Sequence, residues 1–353
     1  MPPFIPGLEL SRRFYVEAVQ PILATCFPNL PHAAGRLGWG SEVLGFDTEM
    51  STDHAWGPIV QLFLRDEDLE LADDVRDALD RELPAEFAGY PVRFPFEDAG
   101  RPAAHWVEPT AVRALALNTL GYDLDRPLEV ADWLTFPSQK LRALRVGAVY
   151  QDSVGELTAL RERLAYYPRQ VWLYLLAAGW RRIDQEEHLM PRAGVVGDEL
   201  GSSLIGSRLV RDVMRLCFLM ERQYAPYAKW FGTAFSELPC APELSPVLWR
   251  AQRAATWEER EAALCEAYEE LARMHNALQI TAELRVTTSA FFRRPFRVIG
   301  GQRFADAIVA TIDDPDVRLL ADRRLIGGID QVSDNTDLLE GTQWRGRLRW
   351  LYE

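Results

Sequence analysis

The sequence predicts an α+β protein, with a mixed β-sheet domain over residues 1–150 followed by an all-α helical bundle over residues 151–353. Three observations predict it. Short apolar runs bounded by Gly and Pro, such as 59–64 (IVQLFL), read as buried strands and gather in the first half. From about Leu128 onward, apolar residues recur at helical spacing instead. The chain has 353 residues, long enough for two domains of roughly 100 to 200 residues each.

Taken in order, residues 8–26 place Leu8, Phe14, Val16, Val19, Ile22 and Leu23 on a helical repeat, so the chain opens with a helix that ends near Pro28 and Pro31. A strand should follow, running into the turn at Gly40 and Ser41. The next residues, 42–50, fit a short helix before the strand at 59–64. An acidic helix over 66–83 and two further strands at 91–96 and 104–108 complete the mixed portion. Helices are predicted over 131–136, 138–146, 157–164, 169–189, 207–235, 257–284 and 302–312. No internal repeat or Gly/Ser-rich hinge separates the two parts, which predicts that they pack together tightly.

Composition narrows the function classes. Hydrophobic residues make up 48% and charged residues 26%, as in an ordinary globular protein. The formal net charge is -13 and is spread along the chain, which disfavours non-specific nucleic-acid binding. The four cysteines, Cys26, Cys217, Cys240 and Cys265, have no metal-ligand spacing and are expected to be reduced and mostly buried. With neither a signal-like start nor an apolar run of about 18 residues, the expectation is a cytoplasmic protein without a membrane partner. Motifs for dinucleotide, P-loop, hydrolase and zinc-protease chemistry are missing from the sequence. Nothing in it fixes an oligomeric state.

One stretch offers chemistry. Phosphoryl and nucleotidyl transfer need backbone donors for the phosphate oxygens and carboxylates for a divalent metal. Gly38-Trp39-Gly40-Ser41 supplies a turn with free amides and a hydroxyl, and Asp53 follows twelve residues after Ser41, expected at the start of the next strand. A Gly-Ser turn preceding an acidic residue by this interval resembles the nucleotidyltransferase superfamily of the DNA polymerase β type. The runs GLELSRRFY, GWGSEVLGFDTEMSTDHAWGP and LTALRERLAYYPRQVWLYLLAAGWRR resemble DUF4037, a family of that superfamily with a C-terminal helical domain, and this likeness covers most of the chain.

The resemblance implies a nucleotidyltransferase-like mixed-sheet domain that moves a nucleoside monophosphate from ATP or another nucleoside triphosphate to a hydroxyl of a small-molecule acceptor, with Mg²⁺. It implies Gly40 and Ser41 on the phosphates, with Asp53 and Glu108 as metal ligands. Glu187, or its neighbour Glu186, would be the base. An exposed strand-end Glu108 and a solvated charged helix turn at Glu186 and Glu187 are the plain alternatives. Lys229, beside Tyr224, Tyr227 and Trp230, can meet a phosphate, although core packing explains the aromatics equally well. His54 reads as a substrate or metal contact, or as a structural partner of Asp53. Asp47 and Glu49 can share a face if extended, but a solvated or capping role is the simpler reading. The polar segment 327–338 suits a substrate-facing loop or a capped turn.

One position departs from the pattern. On a strand, residues two apart share a face, so a second carboxylate is expected at position 55, where this chain has Ala55. The alternative function follows: a nucleotidyltransferase fold that has lost metal chemistry and binds a ligand or performs a non-nucleotidyl reaction.

Overall fold

The computed structural model describes residues 2–94 and 103–353. It is an α+β structure with one four-stranded mixed sheet and many helices. In chain order its α-helices of six residues or more are α1 (Gly7–Phe14), α2 (Gln20–Cys26), α3 (Ala72–Glu82), α4 (Val112–Leu120), α5 (Val130–Thr135), α6 (Ser138–Val146), α7 (Glu156–Arg163), α8 (Arg169–Glu186), α9 (Leu189–Val195), α10 (Glu199–Met220), α11 (Ala228–Ser236), α12 (Ala241–Arg253), α13 (Trp257–Ala277), α14 (Gly301–Val309) and α15 (Pro315–Arg323). The sheet strands are β1 (His32–Arg36), β2 (Val60–Leu64), β3 (Val107–Thr110) and β4 (Ala148–Asp152).

The chain forms two compact units, Met1–Pro127 with Lys140–Ala165, and Leu128–Gln139 with Tyr166–Glu353. The division expected at residue 150 therefore lies elsewhere. β4 pairs with β1, Arg36 standing opposite Ala148, and this ladder holds the segment around residue 150 in the first unit. The sequence reading put no strand there and did not anticipate α4, α12 or α15. The predicted helix 207–235 is broken into α10 and α11, with Arg222 at φ 52 and Pro226 in the break.

In the first unit, α1 and α2 are joined through a π turn at Tyr15–Val19. Pro21 accounts for the turn's position: its ring crowds the carbonyl four residues back, and a widened turn relieves that. The Gln20 amide donates to the Tyr15 carbonyl across it. Phe14, Tyr15, Val19 and Leu23 are buried against Val60, Leu62, Val75 and Leu79, so Phe14, Val19 and Leu23 of the repeat seen in the sequence cover the sheet, while Val16 is exposed.

Strand order is β3-β2-β1-β4. β1 and β2 are antiparallel with Gly35 opposite Gln61, and β2 and β3 are parallel with Gln61 opposite Glu108. The register brings the C-terminal end of β1 and the N-terminal ends of β2, β3 and β4 to one end of the sheet. The turn after β1 and the segment leading into β2 both enter at that end.

The second unit packs around α8, whose two tryptophans, Trp172 and Trp180, are fully buried. Trp180 stacks on Phe304 of α14 with centroids 4.1 Å apart. Cys217, Cys240 and Cys265 are buried and free, while Cys26 is free and exposed. Among the described residues no helix is long and apolar enough to cross a membrane.

Candidate functional site

β1 ends on Arg36, and the chain then reverses through Leu37–Ser41. A buried ion pair closes this reversal: Glu42 Oε1 accepts from Arg36 Nε at 2.9 Å and from Nη2 at 2.6 Å. Both side chains are removed from solvent, at 0% and 4% exposure. Burial pushes the Arg36 guanidinium below its usual value, and the Glu42 charge acts the other way. The Leu37 amide donates to Gln61 Oε1 at 2.8 Å, tying the turn to β2.

Gly40 is required here, because its φ is 109° and a Cβ would lie 2.3 Å from the Glu42 carboxylate. The helix expected over 42–50 does not form. Residues 41–45 make a single turn in which the Ser41 carbonyl accepts from Leu44 and Phe46. Gly45, at φ 77, ends it. Within the turn the Gly45 amide donates to the Glu42 carbonyl at 3.0 Å, and before it the Gly38 amide donates to the Ala143 carbonyl at 3.2 Å.

The segment that follows is anchored by Asp47, whose Oδ2 accepts from the Gly7 amide at 2.7 Å and from Trp56 Nε1 at 3.0 Å. Asp47 therefore caps the start of α1. Asp53 is not on a strand as expected: it is the last residue of a 3-10 helix, Glu49–Asp53, and β2 begins only at Val60. Its exposed carboxylate pairs with His54 Nδ1 at 2.6 Å. Ala55 has φ 50, so residues 53 and 55 do not share a strand face. Gly40 and Ser41 follow the end of β1 and Glu108 lies at the start of β3, so these three belong to the same end of the sheet, while Asp53 lies on the exposed 3-10 helix ahead of β2.

A cavity of about 400 Å³ opens at that end, lined among others by Trp39, Gln61, Arg76, His105, Trp106 and Glu108. Glu108 is exposed within β3, beside the partly buried Gln61. His105 is buried, its Nδ1 accepts from the Val107 amide at 3.2 Å, and Asp80 lies 3.5 Å from its Nε2. Burial pushes this imidazole below its usual value. Sequence reasoning passed over Arg36, Trp39, Gln61, His105 and Trp106 as site residues. The available signal was Trp39, a large aromatic set between two turn glycines.

The remaining candidates lie in the second unit. Glu187 is 3% exposed, and its two oxygens accept from the amides of Ile299, Gly300 and Gly301 at the start of α14. Desolvation raises its pKa to about 7 against the pull of those amides. A base needs a lone pair turned to its acceptor, and this carboxylate serves instead to anchor a helix. Glu186 is likewise buried and engaged by Arg182 and Arg208. Lys229 is exposed in the first turn of α11, with Nζ 4.9 Å from the Trp230 ring. Tyr224 is buried against Tyr166 and Tyr167, whereas Tyr227 is exposed. Within 327–338, Asp330 accepts from the Ser138 amide at 2.8 Å, so part of this polar segment is a packed support.

Among the described residues the carboxylates do not make a complete Mg²⁺ centre. Position 55 offers a methyl group, Asp53 is engaged by His54, and among the described residues no group of three His, Cys, Asp or Glu side chains converges. Glu97 and Asp98 of the sequence lie outside the described residues.

Comparison with known proteins adds the following. No curated protein matches the chain. A solved nucleotidyltransferase-like protein from Exiguobacterium sibiricum is similar at 12% identity over 88% of this chain and 91% of its own, with a TM-score of 0.33. Gly40, Ser41, Asp53 and Glu108 lie outside the stretch that a family model matches, while Glu187 and Lys229 lie inside it. That stretch, residues 133–231, matches DUF4037, a domain of unknown function.

Proposed function

We propose that the chain is a nucleotidyltransferase-type protein whose first unit takes a nucleoside triphosphate at the Gly40–Ser41 end of its sheet. The observation that carries the reading is topological. The glycine turn after β1 and Glu108 on β3 share one end of the sheet, where a cavity of a size that suits a small ligand opens. Arg76, paired with Asp73, also lines this cavity. The net charge of -13 argues for a small ligand over a polynucleotide.

Calorimetric titration of the purified chain with each of the four common ribonucleoside triphosphates, with and without Mg²⁺, tests this. Saturable binding of at least one is expected, and the absence of heat for all four under both conditions removes the reading.

A second reading rests on Asp53 and Glu108 both being exposed: an active, Mg²⁺-dependent enzyme that transfers a nucleoside monophosphate to a hydroxyl of a small molecule. Pyrophosphate release from the unaltered chain, supplied with a triphosphate and candidate acceptors, distinguishes it from a protein that only binds.

A further inference from the structure

The cavity at the sheet end has two indoles in its wall. Trp39 is 49% exposed and stands on the buried Arg36 guanidinium, whose central carbon is 4.0 Å from the ring centroid. Trp106 is partly buried and backed by Phe94, with centroids 4.7 Å apart. Phe94 is itself fixed at Gly57, where a Cβ would come within 2.3 Å of its ring. The two indoles meet edge to face at 6.0 Å. Each ring is therefore held in its plane from behind by a group that cannot easily move, one by a clasped cation and the other by a wedged phenyl.

A half-exposed tryptophan costs solvation unless something covers it, and a glycine turn that raises one over a cavity puts an aromatic surface where a ligand enters. Polar and charged groups, Gln61, Arg76 and Glu108, share that cavity wall. We propose that Trp39 and Trp106 form a stacking corner for a planar heteroaromatic ring, and that this corner is the nucleobase subsite of the first unit. This rests on the reading that the unit takes a nucleotide. Stacking on a ring face tolerates every base, because each has a π face. Arg36 beneath Trp39 enriches the interaction by holding the indole flat.

The test separates ring from phosphate. Adenosine, guanosine, cytidine and uridine, which carry no phosphate, are titrated by calorimetry alongside inorganic tripolyphosphate, which carries no ring. The proteins are the unaltered chain, Trp39→Ala, Trp106→Leu and Trp39→Phe, each checked for folding by circular dichroism. The expected result is nucleoside binding that falls about tenfold or more in Trp39→Ala and Trp106→Leu and is kept within about threefold in Trp39→Phe, with tripolyphosphate unaffected. Nucleoside binding that is the same in all four proteins overturns the corner and leaves the nucleotide reading standing. Tripolyphosphate binding without any nucleoside binding does the same. Nucleoside binding that follows the tryptophans, with no triphosphate or tripolyphosphate binding, keeps the corner and removes the nucleotide reading. Binding of none of them removes both.

Discussion

Arg36 and Glu42, six residues apart, form an ion pair that water does not reach. The pair draws the end of β1 and the start of the 41–45 turn together and leaves no room for any side chain at Gly40. A buried pair adds little net stability over a hydrophobic one, yet breaking it from one side strands a charge.

Glu42→Gln should therefore destabilise the protein by about 3 kcal/mol, because it leaves the Arg36 guanidinium buried without a counter-charge. Urea unfolding followed by tryptophan fluorescence measures this. A midpoint within error of the unaltered chain would mean that solvent reaches Arg36.

Ala55→Asp should be tolerated. Position 55 is exposed and has a left-handed backbone, φ 50, a region in which Asp is enriched relative to other non-glycine residues. The expected change in stability is within about 0.5 kcal/mol. If position 55 is where transfer was weakened, the variant gains Mg²⁺-dependent triphosphate affinity and pyrophosphate release. A phosphate-release assay that shows no gain assigns the loss to another position.

Glu187 should make stability depend on pH. Its folded pKa is raised to about 7, chiefly by burial, from the usual 4.5. The folded state holds the proton more tightly than the unfolded one, so the contribution to stability is full below about pH 4.5 and is lost as pH rises through 7. The loss is on the order of 3 kcal/mol. Glu187→Gln keeps a neutral acceptor for the α14 amides, and its unfolding midpoint should fall less across this window than that of the unaltered chain. Parallel pH profiles for the two proteins would refute the assignment.

His275 acts in the opposite sense. It is fully buried, with Nε2 3.0 Å from Thr281 Oγ1, and burial, assisted by Arg303, lowers its pKa to about 4. Its contribution is present above about pH 6.5 and is lost as pH falls towards 4, where the unfolded imidazole takes a proton that the folded one refuses. His275→Gln should flatten the acid side of the melting profile, and differential scanning calorimetry between pH 4 and 7 follows it. Equal acid sensitivity in the two proteins would place the titration elsewhere.

The sequence by itself determined the α+β class, the opening helix, the β2 strand and most of the later helices, because periodicity and turn residues are local properties of the chain. It also isolated Gly40, Ser41, Asp53 and the vacancy in the acidic pattern at Ala55. Only tertiary structure decided what those residues do. β4 is short and only partly buried, so no periodic signal marks it, and its pairing with β1 moved the unit boundary past residue 150. Glu187 reads as a charged helix turn until the amides at residues 299–301 arrive from more than a hundred residues away. Trp39 and Trp106 become neighbours only through the sheet, since an edge-to-face contact between residues 67 positions apart leaves no trace in local spacing.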